Sequence, residues 1–380
     1  MIVLYEPYAS GYIHIEFDRA LLLSVLTVDS QVIYYGEQKH IDLLRATPGT
    51  SLVTFRALPV PDYDKSTDRL GKFFAERKNL GRIRRETDGA PLIITNGMPQ
   101  SILFANLLFR GKRVYFVMHG RLAALCDGVH YKPWNMQYYM KTALQHLSRS
   151  FRLILLGESI RQNAMALLPK VRDKMVAIDH PFLPKSVTAS GSAQAADGVI
   201  RIATVGAGTF DKGITRLNGV AEYIAKQNLS IEISHIGKID PRLNFVPDSR
   251  IQLPFHTDKM VAEQEYQEKL RQPDYFLYPY EAESYRLTAS GALFEAFALK
   301  KPIIALRNDY FDHVLSKSEG KVGYLCADFD ELLQTLHTLA PAGSEEYKRM
   351  QQNAEALLGQ FSPAAVGRQL SGVLQDNRES

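Results

Sequence analysis

Residues Ala292–Leu299 are apolar except for one carboxylate, Glu295. At 3.6 residues per turn such a segment is apolar on every side and is expected to be buried all round. A buried carboxylate is costly unless something pairs with it. It is either satisfied by a neighbouring backbone or basic group, or held to accept hydroxyl hydrogens from a ligand. Ser290 and Gly291 open this helix, and a helix beginning with such small residues points free N–H groups at whatever lies in front of it, which suits a phosphate. A second position of interest is His119, at the end of the apolar run Val114–Met118. An imidazole at the carboxyl end of a parallel strand faces the crevice where such sheets bind ligands. It can donate to a sugar hydroxyl or phosphate, or act as a base near neutral pH. Arg121, two residues on, is a candidate phosphate contact. The loop Cys126–Trp134 adds Asp127 and His130, as an acceptor site or as plain surface. Gly11, in the first strand-to-helix loop, permits close backbone approach to a ligand or makes an ordinary tight turn.

Short apolar runs alternate with helical patterns along the whole chain. They predict strands at Ile2–Tyr5, Val32–Tyr35, Ser51–Phe55, Leu92–Thr95, Val114–Met118, Leu153–Leu156 and Met175–Ile178. Further strands are predicted at Ile200–Val205, Ile231–Ile236, Ile251–Phe255, Tyr275–Tyr278 and Pro302–Leu306. Such alternation indicates βαβ units and parallel sheets, hence an α/β fold. With 380 residues, two domains are expected. The small, polar stretch Ser186–Gly198 reads as the linker. The domains then run over 1–185 and 199–360, with a last helix in 361–380. The loop GAGTFDKG (Gly206–Gly213) follows the first strand of the second domain. It fails as a dinucleotide fingerprint at Asp211 and as a Walker A loop at Ile214.

Bulk properties exclude several classes. A net charge of +4 is mild, and no zinc-finger spacing or RNA-binding aromatic signature is present, so no nucleic-acid partner is expected. No run of eighteen apolar residues exists, so no spanning helix is expected. The start MIVLYEPYASG is not a secretory signal. Two distant cysteines, Cys126 and Cys326, suit a reducing cytoplasm. Residues 65–85 place Leu70, Phe73, Phe74, Leu80 and Ile83 among eight Lys/Arg. The pattern fits a core-packing helix with a solvated basic face, or a helix lying on anionic lipid.

The run Gly291-Ala-Leu-Phe-Glu295-Ala-Phe-Ala-Leu-Lys-Lys-Pro302-Ile-Ile-Ala305 resembles the "EA-A-GKPVIA" signature of GT-B glycosyltransferases, in particular the large retaining "group one" family. Val205-Gly206 with Lys212-Gly213 is similar to that family's "VGR…KG" turn, with Ala207 in place of its Arg. His119-Gly120 is similar to its strand-end His by the donor sugar. The resemblance implies two Rossmann-like domains facing across a cleft, and transfer of a sugar from a UDP or GDP donor to a hydroxyl of a glycan or lipid-linked acceptor. It implies bacterial surface polysaccharide synthesis, with retention of configuration and no metal cofactor. It places Gly11, Gly206, Lys212, Ser290 and Gly291 at the diphosphate and Glu295 on the ribose. Arg286 stands in for the cation missing at Ala207. The family Glu whose place is taken by Leu287 is either missing or replaced by Glu283 from a longer loop, which then faces the sugar with His119. An inverting reaction would instead need a base, His119 or Asp127. The family's lipid-linked acceptors give the 65–85 segment its membrane reading, on the inner face of the cytoplasmic membrane. A sugar-nucleotide 2-epimerase of the same fold, or a non-catalytic protein with a degenerate donor site, are the alternatives.

Overall fold

A computed structural model describes residues 1–61, 68–87, 89–119, 122–125, 139–184, 198–255 and 263–376. Arg121, Cys126, Asp127, His130 and nearly all of the expected linker lie outside the described residues. The chain forms two units. The first comprises Met1–Leu183, Leu287–Ala289 and Gln360–Ser380, and the second Pro184–Arg286 and Ser290–Gly359.

The sheet of the first unit is built from β1 (Ile2–Tyr5), β2 (Val32–Gly36), β3 (Val53–Ala57), β4 (Leu92–Ile94), β5 (Val114–Val117), β6 (Phe151–Leu156) and β7 (Met175–Ile178). Every neighbouring pair is parallel, in the order β3-β2-β1-β4-β5-β6-β7. The crossovers carry α1 (Ile15–Leu26), α2 (Gln38–Arg45), α3 (Arg69–Glu86), α4 (Pro99–Leu108), α5 (Met140–Gln145) and α6 (Glu158–Leu167). In the second unit β8 (Ile200–Val205), β9 (Ile231–Ile236), β10 (Ile251–Gln252), β11 (Tyr275–Tyr278), β12 (Ile303–Leu306) and β13 (Gly323–Cys326) are again all parallel, in the order β10-β9-β8-β11-β12-β13. Its helices are α7 (Leu217–Lys226), α8 (Glu263–Arg271), α9 (Gly291–Ala298), α10 (Asp309–Leu315), α11 (Phe329–Thr335) and α12 (Glu345–Gly359). Central strands such as β1 (IVLY), β11 (YFLY) and β12 (IIAL) are buried at every position. Helices on both faces of a parallel sheet require such continuous apolar runs.

The last helix, α13 (Pro363–Asp376), belongs to the first unit. Pro363 starts it, where the missing N–H is no loss. Val366, Leu370 and Leu374 enter the same core as Leu21, Leu22 and Val25 of α1. Gln369 clasps Asp179 just after β7, accepting from its N–H at 2.7 Å and donating to its Oδ2 at 2.7 Å.

Helix α3 corrects the expected packing stripe. Leu80 and Ile83 are core residues, but Leu70 and Phe74 are 72% and 59% exposed. The other buried positions are polar, Glu76 and Asn79. Glu76 accepts from the Tyr5 hydroxyl at 2.9 Å, and Asn79 donates to the Pro59 carbonyl at 3.1 Å. The helix turns two polar side chains inward because hydrogen-bond partners wait there.

Where α13 crosses α1, a Cβ on Gly367 would sit 1.9 Å from the Thr27 Oγ1. Gly367→Val should therefore lower stability by roughly 1–3 kcal/mol through overpacking. Denaturant melts would measure the loss, and limited proteolysis should find α13 released first.

Candidate functional site

In an open parallel sheet, ligands bind beyond the carboxyl ends of the strands where the strand order reverses direction. In the second unit that point lies between β8 and β11. The loops leaving these two strands carry Gly206–Gly213 and Pro279–Ser290. They are stitched together. Gly213 has φ +64°, and a Cβ there would meet the Pro279 carbonyl oxygen at 1.9 Å, so only glycine fits. Glu281 N–H donates to the Asp211 carbonyl at 3.0 Å, and the Ser284 hydroxyl to Asp211 Oδ1 at 2.8 Å. Arg216 donates to the Pro279 carbonyl at 3.2 Å and pairs with Glu281 at 2.9 Å.

This stitching aims Lys212. Its ammonium lies 6.0 Å from the centre of the Tyr280 ring, and a Cβ on Gly206 would approach it to 3.2 Å. Burial pushes the Lys212 ammonium below the ordinary lysine range, while the charge of Glu295 works the other way. Thus Lys212, from the loop after β8, and Glu295, from α9 about eighty residues on, share one electrostatic site. Tyr280 stacks on Tyr285 with centroids 4.4 Å apart, and both rings pack near Phe311. Behind Lys212, His235 bonds to Thr204 Oγ1 at 2.9 Å under the Gly208 turn. Burial holds its imidazole down at about 4, so it is neutral at pH 7.

Helix α9 departs from the expected burial. Leu293, Phe294, Ala296 and Phe297 are buried, but Gly291 is exposed and Ala292, Glu295, Ala298 and Leu299 are only half-buried. These five positions recur every three to four residues and so share one face. Apolar composition hid that face, because alanine and glycine serve an open stripe as well as a core. The Ser290 hydroxyl makes no capping bond to the helix, and the space where a Gly291 Cβ would sit is open to 4 Å. First-turn N–H groups of a helix lack intrahelical acceptors, so this end is suited to an anion. Glu283 and Arg286 pair with each other at 3.1 Å, with Glu283 84% exposed.

In the first unit the strand order reverses between β1 and β4. Their two loops are joined by Thr95, whose hydroxyl donates to Glu6 Oε2 at 2.6 Å. Glu6 also accepts from the N–H groups of Tyr8 at 2.6 Å and Ala9 at 2.7 Å. Gly11, with φ +57°, sits further along the same loop. His119, after β5, stacks on Phe17 at 4.2 Å and lies 4.6 Å from the His14 ring. His14 in turn bonds to the Asn96 amide at 3.0 Å, and Asn96 Oδ1 accepts from Gly97 N–H at 2.8 Å. With that oxygen engaged, the Asn96 NH2 is the donor, which makes His14 Nδ1 an acceptor and His14 neutral. His180 completes the cluster 5.9 Å from His119, held down at about 4 by burial.

Sequence reasoning missed Glu6, Asp18, His40 and Glu76, all essentially without solvent exposure. For Glu6 a signal existed: like His119, it directly follows a buried strand. The others sit inside helical patterns that give no sign of their depth. Lys212, Glu295, Ser290 and Gly291 come together, and Gly11 and His119 lie at the matching edge of their own sheet.

No family model matches the chain, and no curated protein does. Solved structures do. Anabaena HepE bound to UDP and glucose superposes with a TM-score of 0.67 at 12% identity, over 99% of this chain and 100% of that one. A glycosyltransferase of Rickettsia africae gives 0.67 at 14% identity, over 100% and 99%. WaaG, a glycosyltransferase of lipopolysaccharide biosynthesis, gives 0.64 at 13%, over 98% and 99%. Likeness at such identity is one of fold, and the fold is GT-B.

The buried acids carry a pH signature. Burial raises Glu6, with Asp18 adding to it, and raises Glu76, each from the ordinary carboxylate value to about 7. A folded state that holds a proton more tightly than the unfolded chain loses stability as pH rises through the raised value. Stability should therefore fall from about pH 4.5 to pH 7. Glu6→Gln should remove part of that slope, as read from urea melts across the range.

Proposed function

We propose that this GT-B chain is a glycosyltransferase that moves a sugar from a nucleoside-diphosphate donor to a hydroxyl of a glycan or lipid-linked acceptor. One observation carries the reading: Lys212 is held in the field of Glu295 beside the uncapped mouth of α9, at the strand-order reversal of the second unit. A partly desolvated ammonium interacts with a diphosphate more strongly than one in water. It stabilises charge that grows on the leaving group as the glycosidic bond breaks. First-turn N–H groups at Ser290-Gly291 add donors aimed at the same phosphates. Glu295, on the open face of α9, accepts the ribose hydroxyl hydrogens. HepE, similar in fold, has been crystallised with UDP and with UDP-glucose, and WaaG acts in lipopolysaccharide biosynthesis. Both fit a UDP-type donor and a bacterial surface glycan.

His119 is the group of the first unit proposed to face the sugar, with a retained anomeric configuration following the family pattern. Stacked on Phe17 and beside His14, His119 is read as a hydrogen-bonding partner of the sugar. In the second unit, the Glu283–Arg286 pair must part before either side chain serves the donor as the sequence implies.

The surface of α3 and α4 supports the reading of a lipid-linked acceptor. Leu70 and Phe74 on α3 and Leu103 and Leu107 on α4 are exposed, and the two helices join through Phe73 and Phe104 at 4.6 Å. Helix α3 adds seven Lys/Arg against two Glu. Apolar side chains ringed by cations suit an anionic lipid surface. Among the described residues no helix is long and apolar enough to cross a membrane.

Four measurements test this. Thermal-shift screening with UDP, GDP, ADP and dTDP should find one stabilising nucleotide, and silence from all four would refute the donor site. With the active donor, Lys212→Ala should lower kcat on the order of a hundredfold. Glu295→Ala should weaken nucleotide binding by roughly ten- to a hundredfold. Separately, Leu70→Ser/Phe74→Ser should reduce co-sedimentation with phosphatidylglycerol vesicles and leave neutral vesicles unaffected.

A further inference from the structure

The loop Glu6–His14 contains two residues with left-handed backbones, Gly11 and His14, both at φ +57°. Such conformations persist when the surroundings over-determine them. Packing does not do this at Gly11, because no atom lies within 4 Å of where its Cβ would be. Hydrogen bonds do. Glu37, the N-cap of α2, accepts from Gly11 N–H at 3.3 Å while also accepting from Lys39 and His40 N–H. Three residues on, His40 Nδ1 lies 2.8 Å from the Gly11 carbonyl oxygen, and its Nε2 lies 3.0 Å from Asp18 Oδ2. The side chains of His40 and Asp18 are both fully buried.

We infer that the first turn of α2 is a clamp on Gly11, with Glu37, His40 and Asp18 as positioning residues that set the β1–α1 loop for its ligand. The inference rests on the proposed donor site, at which the family resemblance puts Gly11. A carbonyl oxygen only accepts, so Nδ1 carries a hydrogen. The contact with Asp18 then needs a second proton between Nε2 and the carboxyl. Removing that proton sets an imidazole lone pair against a carboxylate, and the ring loses its anchor. Burial opposes a charged His40, but the bond and charge of Asp18, with Gly11 and Glu6 adding to them, leave it raised above the ordinary imidazole range. The clamp is complete below that range and is lost as pH rises through the raised value.

The groups around His40 are few. Glu6 approaches from the end of β1, Asp18 from α1, Glu37 from its own turn, and the Tyr34 ring from β2, stacked at 6.4 Å. Glu16 and Arg19 of α1 pair with each other, and Arg56 of β3 is engaged by Glu86. The Gly11 carbonyl satisfies the buried Nδ1–H, so the same bond that settles the imidazole also ties the loop to α2.

Hydrogen exchange of the Gly11 amide, together with calorimetry of UDP binding, tests the clamp on the full chain. His40→Asn places an amide donor near the Nδ1 position, and His40→Gln places one near Nε2. The asparagine variant should keep Gly11 protection and UDP affinity within about threefold, whereas the glutamine and leucine variants should lose about tenfold in each. Equal behaviour of the asparagine and glutamine variants, or full protection in the leucine variant, would overturn the clamp. In the wild-type chain, which needs no variant to fold, Gly11 protection should fall relative to that of Val3 and Leu4 above the ordinary imidazole range. A flat ratio would overturn it equally. Absence of UDP binding to the wild-type chain would count against a UDP donor, and the exchange pattern would still decide the clamp.

Discussion

An ammonium withdrawn from water loses hydration that only opposite charge or hydrogen bonds replace. In the second unit the carboxylate of Glu295 makes up part of that loss for Lys212, and the proposed diphosphate would add to it. The surrounding structure is arranged to keep this one attraction in place. Gly213 lets its backbone pass against the Pro279 carbonyl, Arg216 spans to Glu281, and Asp211 receives both Glu281 and Ser284. Each contact joins the loop after β8 to the loop after β11. Loosening any of them would let Lys212 swing toward solvent, where a lysine is worth little to a leaving group.

The same topological rule governs the first unit with the opposite chemistry. There the strand-order reversal gathers acids rather than a cation. Glu6, Asp18 and Glu76 are all buried, and the cost is met at Glu6 and Glu76 by a tighter hold on a proton and by hydrogen bonds from Tyr5, Thr95 and two backbone N–H groups, and at Asp18 by His40. His180 is held down at about 4 by burial and stays neutral instead. Burial thus pushes acids and bases toward their uncharged forms unless a partner of opposite sign is near. His40 is the exception because Asp18 is its partner.

Much of the fold was legible because parallel strands covered on both faces must be short and wholly apolar. IVLY, YFLY and IIAL each stood out for that reason. Ser290, Gly291 and Glu295 drew notice through their local place at a helix that follows a strand, and Lys212 through the family-like turn; the structure sets Lys212 in the field of Glu295 but leaves Glu295 half-buried rather than buried all round. What escaped notice depended on partners far away in sequence. Thr95 meets Glu6 across 89 residues, Tyr5 meets Glu76 across 71, and Arg216 meets Glu281 across 65. A helical pattern such as that of α3 gives the number of apolar positions but not which of them face inward. Leu70 and Phe74 remained outside while Glu76 and Asn79 went in. The half-open face of α9 was hidden for the same reason.

The role given to Lys212 is best judged on its own nitrogen. NMR titration of a chain labelled at the lysine side chains, assigned by comparison with Lys212→Arg, would read its protonation with and without UDP. The free chain should show Lys212 titrating below the exposed lysines, lower still in Glu295→Gln, and rising when UDP binds. A lysine that titrates with the others and ignores both changes would contradict the assignment of this loop as the diphosphate site.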